Sequence, residues 1–257
     1  MTETTVTKEQ ITWEPLPADF ELPDEPVENL EHPLLASDLS EILGVAGLLT
    51  ASTIVASNFG ICAKVGNKTI VKAPDWVYIP FVNEEFRERK PRSYTPHLEG
   101  DVPSVVMEFL SDRDNGEYDA SQGGKWWFYE QILQVPSYVI FDPTSGRVEV
   151  YQLKTSGKYS PQIPDNNGRY WIPGVNLFLG VWYGTKERRT GYWLRWWDDG
   201  GNMLLRSSEN SAQKQLQVDA AKQEAADAKR EAIDAKQRAD RLAARLRELG
   251  IDPNELN

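Results

Sequence analysis

One cysteine, Cys62, stands in 257 residues, so the chain cannot close an intrachain disulfide. A lone free cysteine behaves as a small apolar side chain, and Cys62 is read as buried. No apolar run approaches the roughly 20 residues that a helix needs to span a bilayer. The opening MTETTVTKEQITWEP has neither the basic nor the apolar region of a secretory signal. These absences predict a cytoplasmic protein with no membrane segment. Excess positive charge is missing as well, because the formal net charge is −11. That excludes a protein gripping nucleic acid by bulk electrostatics. It leaves room for a local basic channel, or for a metal held between carboxylates.

The negative charge is unevenly spread. Residues 1–31 carry nine acids and one lysine, whereas 211–249 carry nine basic and seven acidic residues. Residues 1–30, acidic and proline-rich, are predicted to be a flexible arm on which Trp13 and Phe20 are the docking candidates. A domain is predicted over 31–207, a coiled coil over 208–250 and a short tail over 251–257.

Leu34, Leu35, Leu39, Ile42 and Leu43 have helical spacing, with Pro33 suited to the first turn and Gly44 to the stop. Strands follow: STIVASNFGICAKV and KTIVKAP around a Gly-Asn turn, then the short strand in APDWVYIP. Residues 81–101, charged and broken by prolines, read as an exposed insertion. PSVVMEFLS is a continuous apolar strand of the kind covered on both faces. After the loop RDNGEYDASQGG, KWWFYEQILQ reads as a helix ended at Val135-Pro136, and SYVIFDPTSGRVEVYQL as a hairpin. The aromatic region 159–206 reads as packing, with a sugar or nucleobase platform as the other possibility. Within it, YWLRWWDDGGNMLLR suggests a hairpin about DDGG.

The tail carries the most regular pattern. Val218, Ala221, Ala225, Ala228, Ala232, Ala235, Ala239, Leu242, Leu246 and Leu249 alternate spacings of three and four. A self-associating coiled coil is predicted over 218–249, making the protein a homo-oligomer. A docked single helix and a partner-binding helix are the alternatives.

Three charged residues stand in awkward places. Glu108 shares a strand face with Val106 and Leu110, so it points into a covered layer. An unpaired buried carboxylate costs several kcal/mol, on the order given for buried ions. A basic partner, a proton or a metal must offset that. Lys125 opens a helix, where the dipole disfavours a cation by roughly 0.3–1 kcal/mol, and Tyr129 shares its face four residues on. Asp75 follows a proline at the edge of an apolar strand. Singly these read as a salt bridge, a solvated helix end and a turn residue. Together, two acids and a lysine near strand ends suit phosphodiester hydrolysis. Two carboxylates are hard oxygen ligands for Mg²⁺, which activates water, and a lysine steadies developing negative charge. The backbone carbonyl of Phe109 is a further candidate ligand. The two histidines carry less: His32 reads as structural or exposed, His97 as a loop residue.

APDWVYIP, VVMEFLS, the lysine and tyrosine of GGKWWFYEQILQVPSYVIFDP, and RVEVYQL resemble the Uma-two family. These are bacterial proteins of the PD-(D/E)XK nuclease superfamily. The likeness runs from about Asn29 to Arg206, and the ending LRELGIDPNEL is also familiar in that family. It implies a restriction-endonuclease-like fold, an α/β mixed β-sheet flanked by helices. It further implies a nuclease using Mg²⁺ (or Mn²⁺) and acting on nucleic acid, with DNA the expected substrate. Asp75 matches the metal-binding aspartate after proline, and Glu108 the acid of the (D/E)XK strand. Leu110 stands where the motif places lysine, and Lys125 on the following helix takes that role. The second strand is preceded by Pro103-Ser104, where the family often has Pro-Asp. Glu31 or Glu41 is the candidate accessory acid. The competing reading is a catalytically inactive member acting as a binding or assembly module; a sugar-binding module through the tryptophans is weaker.

Overall fold

The computed structural model describes residues 10–14, 30–89, 91–111, 116–187 and 189–250. Phe20, most of the acidic arm, the tail 251–257 and part of the loop after Leu110 lie outside the described residues. The chain forms two compact units, Met1–Arg206 and Ser207–Asn257.

The first unit runs β1 (Ile11–Thr12), α1 (His32–Val45), β2 (Ile54–Ala56), β3 (Gly60–Val65), β4 (Lys68–Lys72), β5 (Trp76–Ile79), α2 (Glu84–Glu88), β6 (Ser93–Tyr94) and β7 (Val105–Phe109). It continues with α3 (Lys125–Trp127), which passes directly into a π-helix (Phe128–Leu133), then β8 (Ser137–Asp142), β9 (Arg147–Leu153), β10 (Tyr159–Pro161), β11 (Tyr170–Ile172), β12 (Leu177–Lys186) and β13 (Arg189–Trp197).

Six strands form the central mixed sheet in the order β10-β9-β8-β7-β5-β2. β7 and β8 are parallel, joined by the crossover through α3 and the π-helix, and the other neighbours are antiparallel. β7 is buried along its whole length because both faces are covered. Val105, Met107 and Phe109 meet Leu35, Leu39 and Ile42 of α1 and the sheet β11-β12-β13 on one side. Val106 meets Phe128, Leu133 and the small sheet of β1, β3, β4 and β6 on the other. The period-two alternation of the strand thus feeds two separate cores.

Four expectations change. The π-helix replaces most of the expected α-helix; it is a wider turn with no propensity signal of its own. Residues 81–101 are pinned rather than simply exposed: Phe86, Tyr94 and Glu99 are buried. There Glu99 pairs with Arg89 and accepts the Thr95 backbone N–H at 2.6 Å. The main aromatic hairpin is β12–β13, with nine paired positions, while the turn at DDGG closes only a Trp197–Met203 bridge. Leu34 is 43% exposed, off the helix face made by Leu35, Leu39, Ile42 and Leu43. Trp193, Trp196 and Trp197 are core residues. Trp13 docks against His97, ring centroids 4.7 Å apart, and β1 pairs with β3.

α1 is fastened to the β12–β13 sheet by a buried ion cluster. Asp38 is fully buried and accepts from Arg206 Nε at 2.8 Å, Arg206 Nη2 at 2.7 Å and Lys186 Nζ at 2.7 Å. The Arg206 guanidinium also lies over Trp182 and Trp193, 4.7 and 5.1 Å from their ring centroids.

The second unit is one helix, α4 (Ser207–Glu248), 42 residues with none buried. At 1.5 Å per residue it is about 63 Å long. No helix among the described residues is long and apolar enough to cross a membrane.

Candidate functional site

β5 and β7 are neighbours, and their last registered pair is Trp76 with Met107. One register step further brings Asp75 opposite Glu108. Both carboxyls therefore stand at the same end of the sheet, and Asp75 acts on the Glu108 carboxyl through space. The main-chain hydrogen bonding ends there in a side-chain substitute: the Phe109 N–H donates to Asp75 Oδ2 at 2.6 Å. Leu110 N–H bonds the Phe141 carbonyl on β8. Alternation therefore turns the main-chain groups of Phe109, carbonyl included, toward the β5 edge where Asp75 stands.

Glu108 is 1% exposed. Lys125 Nζ donates to its Oε2 at 3.1 Å and Tyr129 OH to its Oε1 at 2.8 Å. Lys125 and Tyr129, four apart at the start of the crossover helix, converge on one carboxyl. Lys125 Nζ also lies 3.4 Å from Oε1 of the buried Glu117. Burial pushes the Glu108 carboxyl up to about 8; Lys125 and the Tyr129 hydrogen bond pull it down, and Asp75 pushes it further up. For Lys125 burial acts to lower the ammonium, but Glu108 and Glu117 overcome it and hold the group above the usual lysine range. The Tyr129 hydroxyl is raised well above its ordinary value, chiefly by burial.

His32 and Glu117 join this set, and the sequence reading gave neither a role in it. His32 is buried at the first turn of α1. Its Nδ1 is 3.5 Å from Asp75 Oδ1, its Nε2 is 3.4 Å from the Leu110 carbonyl, and its ring meets Phe109 edge-on. The only signal was its place beside Pro33, which fixes a helix start without saying what faces it. Glu117 sits in a loop that sequence pattern leaves featureless, tied down where Tyr138 OH donates to its carbonyl at 2.8 Å.

The two candidate accessory acids carry ion pairs with the ends of β12 and β13. Glu41 pairs with Lys186 at 2.7 Å, nine residues along α1 from His32, which is roughly 13 Å of helix. Glu31 lies next to His32 but its Oε2 takes Arg189 Nη2 at 2.7 Å, which holds its carboxyl below the usual range. Lys158 is occupied by Glu130 at 3.0 Å.

Gly124 sets the start of the crossover helix. A Cβ there would stand 2.2 Å from the Asp119 carbonyl oxygen, so the loop cannot keep its shape with any side chain. Gly124→Ala is expected to cost about 1–3 kcal/mol, as overpacking does, and to shift Lys125. Thermal denaturation with a matched assay of any Lys125-dependent property checks both.

The donor set fits a hard divalent cation. Asp75 and Glu108 would supply carboxylate oxygens, and the Phe109 carbonyl lies on the same edge. Among the described residues no group of three or more His, Cys, Asp and Glu side chains forms a metal cluster. Two carboxylates suit Mg²⁺, which keeps several waters and takes the rest from phosphate oxygens.

A comparison with curated proteins finds no match. A family comparison matches residues 20–183 to Uma2, described as "Putative restriction endonuclease". That span holds Asp75, Glu108, Lys125 and Tyr129, along with the central sheet as far as β10. The chain therefore belongs to the Uma2 family and has its restriction-endonuclease-like fold.

Proposed function

We propose that the protein is a metal-dependent endonuclease hydrolysing phosphodiester bonds, with DNA as substrate and Mg²⁺ or Mn²⁺ as cofactor. The observation that carries this reading is the convergence of Asp75, Glu108 and Lys125 at one end of β5 and β7. A nuclease family gives it a context. Asp75, Glu108 and the Phe109 carbonyl would hold the cation, which supplies an activated water and charge neutralisation at the phosphate. Lys125 Nζ holds the Glu108 carboxyl and presents positive charge where an anionic transition state would develop. Tyr129 fixes the second Glu108 oxygen. The Phe109 N–H and His32 fix the two oxygens of Asp75. Glu117 steadies Lys125 from the other side.

One observation favours a second reading. Glu108 already has both oxygens bonded, so the pair with Lys125 is closed without a metal. The protein would then be a nuclease fold kept as a binding or assembly module. Calorimetric titration of Mg²⁺ and Mn²⁺ into the wild type and Asp75→Asn separates the two, followed by plasmid cleavage with the same samples. Saturable binding and cleavage lost in the variant are expected. A wild type that neither binds nor cleaves would leave the assembly reading.

A further inference from the structure

Taken by itself, α4 cannot cover its own heptad seam, and Val218 is 46%, Leu242 64% and Leu249 65% exposed. A seam this long, ending in leucines, marks an interface. The flanking charges specify what covers it. With Val218 at a and Ala221 at d, Glu224 and Glu231 fall at g, and Lys229 and Lys236 at e. Three pairs of charges on the helix meet locally: Asp219 with Lys222 at 3.9 Å, Asp227 with Arg230 at 4.0 Å and Arg245 with Glu248 at 2.9 Å. Glu224, Lys229, Glu231 and Lys236 have no such partner among the described residues. Each glutamate precedes its lysine by five residues. That is the wrong spacing for a contact on one helix, where neighbours are three or four apart. It is the spacing at which g of one chain faces e of another in a parallel coil.

We propose that α4 pairs with α4 of a second copy as a parallel, in-register, two-stranded coiled coil. Glu224 then faces Lys229 of the partner subunit, Glu231 faces Lys236 of the partner subunit, and two-fold symmetry repeats both pairs. The alternatives are worse in charge. A fully overlapped antiparallel pair matches leucines with alanines and glutamates with arginines, but it sets Lys229 against Lys236 of the partner subunit twice. A slip of one heptad removes one glutamate–lysine pair and sets Arg238 against Lys236 of the partner subunit. Parallel pairing also brings the two Ser207 ends together. None of this depends on the proposed hydrolysis.

The test uses the full chain on a Cys62→Ala background, since Cys62 is the only cysteine. Sedimentation equilibrium should give twice the chain mass. A221C, at a d position, should convert mostly to a disulfide-linked dimer in a glutathione buffer. K229E/K236E should sediment as a monomer, and adding E224K/E231K should restore the dimer, with helix content followed by circular dichroism throughout. A wild type that stays monomeric would overturn the proposal. So would cross-linking that needs A221C mixed with L246C, the antiparallel signature, or a K229E/K236E variant that remains dimeric.

Discussion

Replacing Glu108 by glutamine is expected to lower metal-dependent cleavage by at least about a hundredfold, the scale set by removing one charge-stabilising group. The same change is expected to stabilise the metal-free protein above neutral pH. Both effects have one cause. Glu108 is a carboxyl in a dry layer, and burial raises it from the usual carboxylate range to about 8. Between those two values the folded state holds a proton that the unfolded chain has already lost. The stabilising contribution is complete below about 4.5 and is lost as pH rises through about 8, a difference on the order of a few kcal/mol. Glutamine keeps the shape and an acceptor for Tyr129, yet it has no proton to lose. Urea unfolding of wild type and Glu108→Gln at pH 5, 7 and 9, without divalent ions, should show a gap that widens in favour of the variant. Parallel stability at all three values would mean that Lys125 fully compensates the burial. Unchanged cleavage by Glu108→Gln would remove this carboxyl from the chemistry.

The largest loss of stability is expected at Asp38→Ala. The aspartate is fully buried and receives four hydrogen bonds from two cations, Arg206 and Lys186. Its removal takes away the buried carboxylate that Arg206 and Lys186 share, and such broken buried pairs cost about 3–5 kcal/mol. α1 would loosen from the β12–β13 sheet. Because α1 also carries His32 to Asp75, cleavage should fall together with the denaturation midpoint. Asp38→Asn tests whether charge or shape matters, since an amide can accept but cannot neutralise. An unfolding free energy within about 0.5 kcal/mol of wild type for Asp38→Ala, the range of an ordinary surface change, would show that the cluster positions α1 without stabilising it.

How far the sequence reaches depends on whether a feature is local. Helix α1, the Gly66-Asn67 hairpin and the β8–β9 hairpin follow from periodicity and turn chemistry. So does the turn at Asp142, whose carboxylate takes the Thr144 N–H at 2.9 Å. Glu108 was legible for the same reason, because a carboxylate inside VVMEF breaks a pattern that any reader can count. Lys125 and Asp75 were legible chiefly through resemblance to a family, as their own surroundings are ordinary. Of the partners missed, Glu117 lies only eight residues before Lys125, in a loop with no periodic pattern, and the others sit far along the chain. His32 meets Asp75 across 43 residues, and Arg206 meets Asp38 across 168. Nothing in either neighbourhood announces the other.

By itself, the sequence determined α1, the strands β3, β4, β5 and β7 and the β8–β9 hairpin of the first unit, the heptad seam of α4 and the conflict posed by a charge in a covered strand. These depend on periods of two, 3.5 and 3.6 and on the burial they enforce. Only the tertiary structure decided which groups resolve that conflict. It placed Tyr129 and Lys125 on the two oxygens of Glu108, brought Glu117 to Lys125 and His32 to Asp75, and turned Glu41 away to Lys186. A buried charge demands a partner, but its identity depends on which strand ends meet in space, and that is fixed by packing two cores against one sheet.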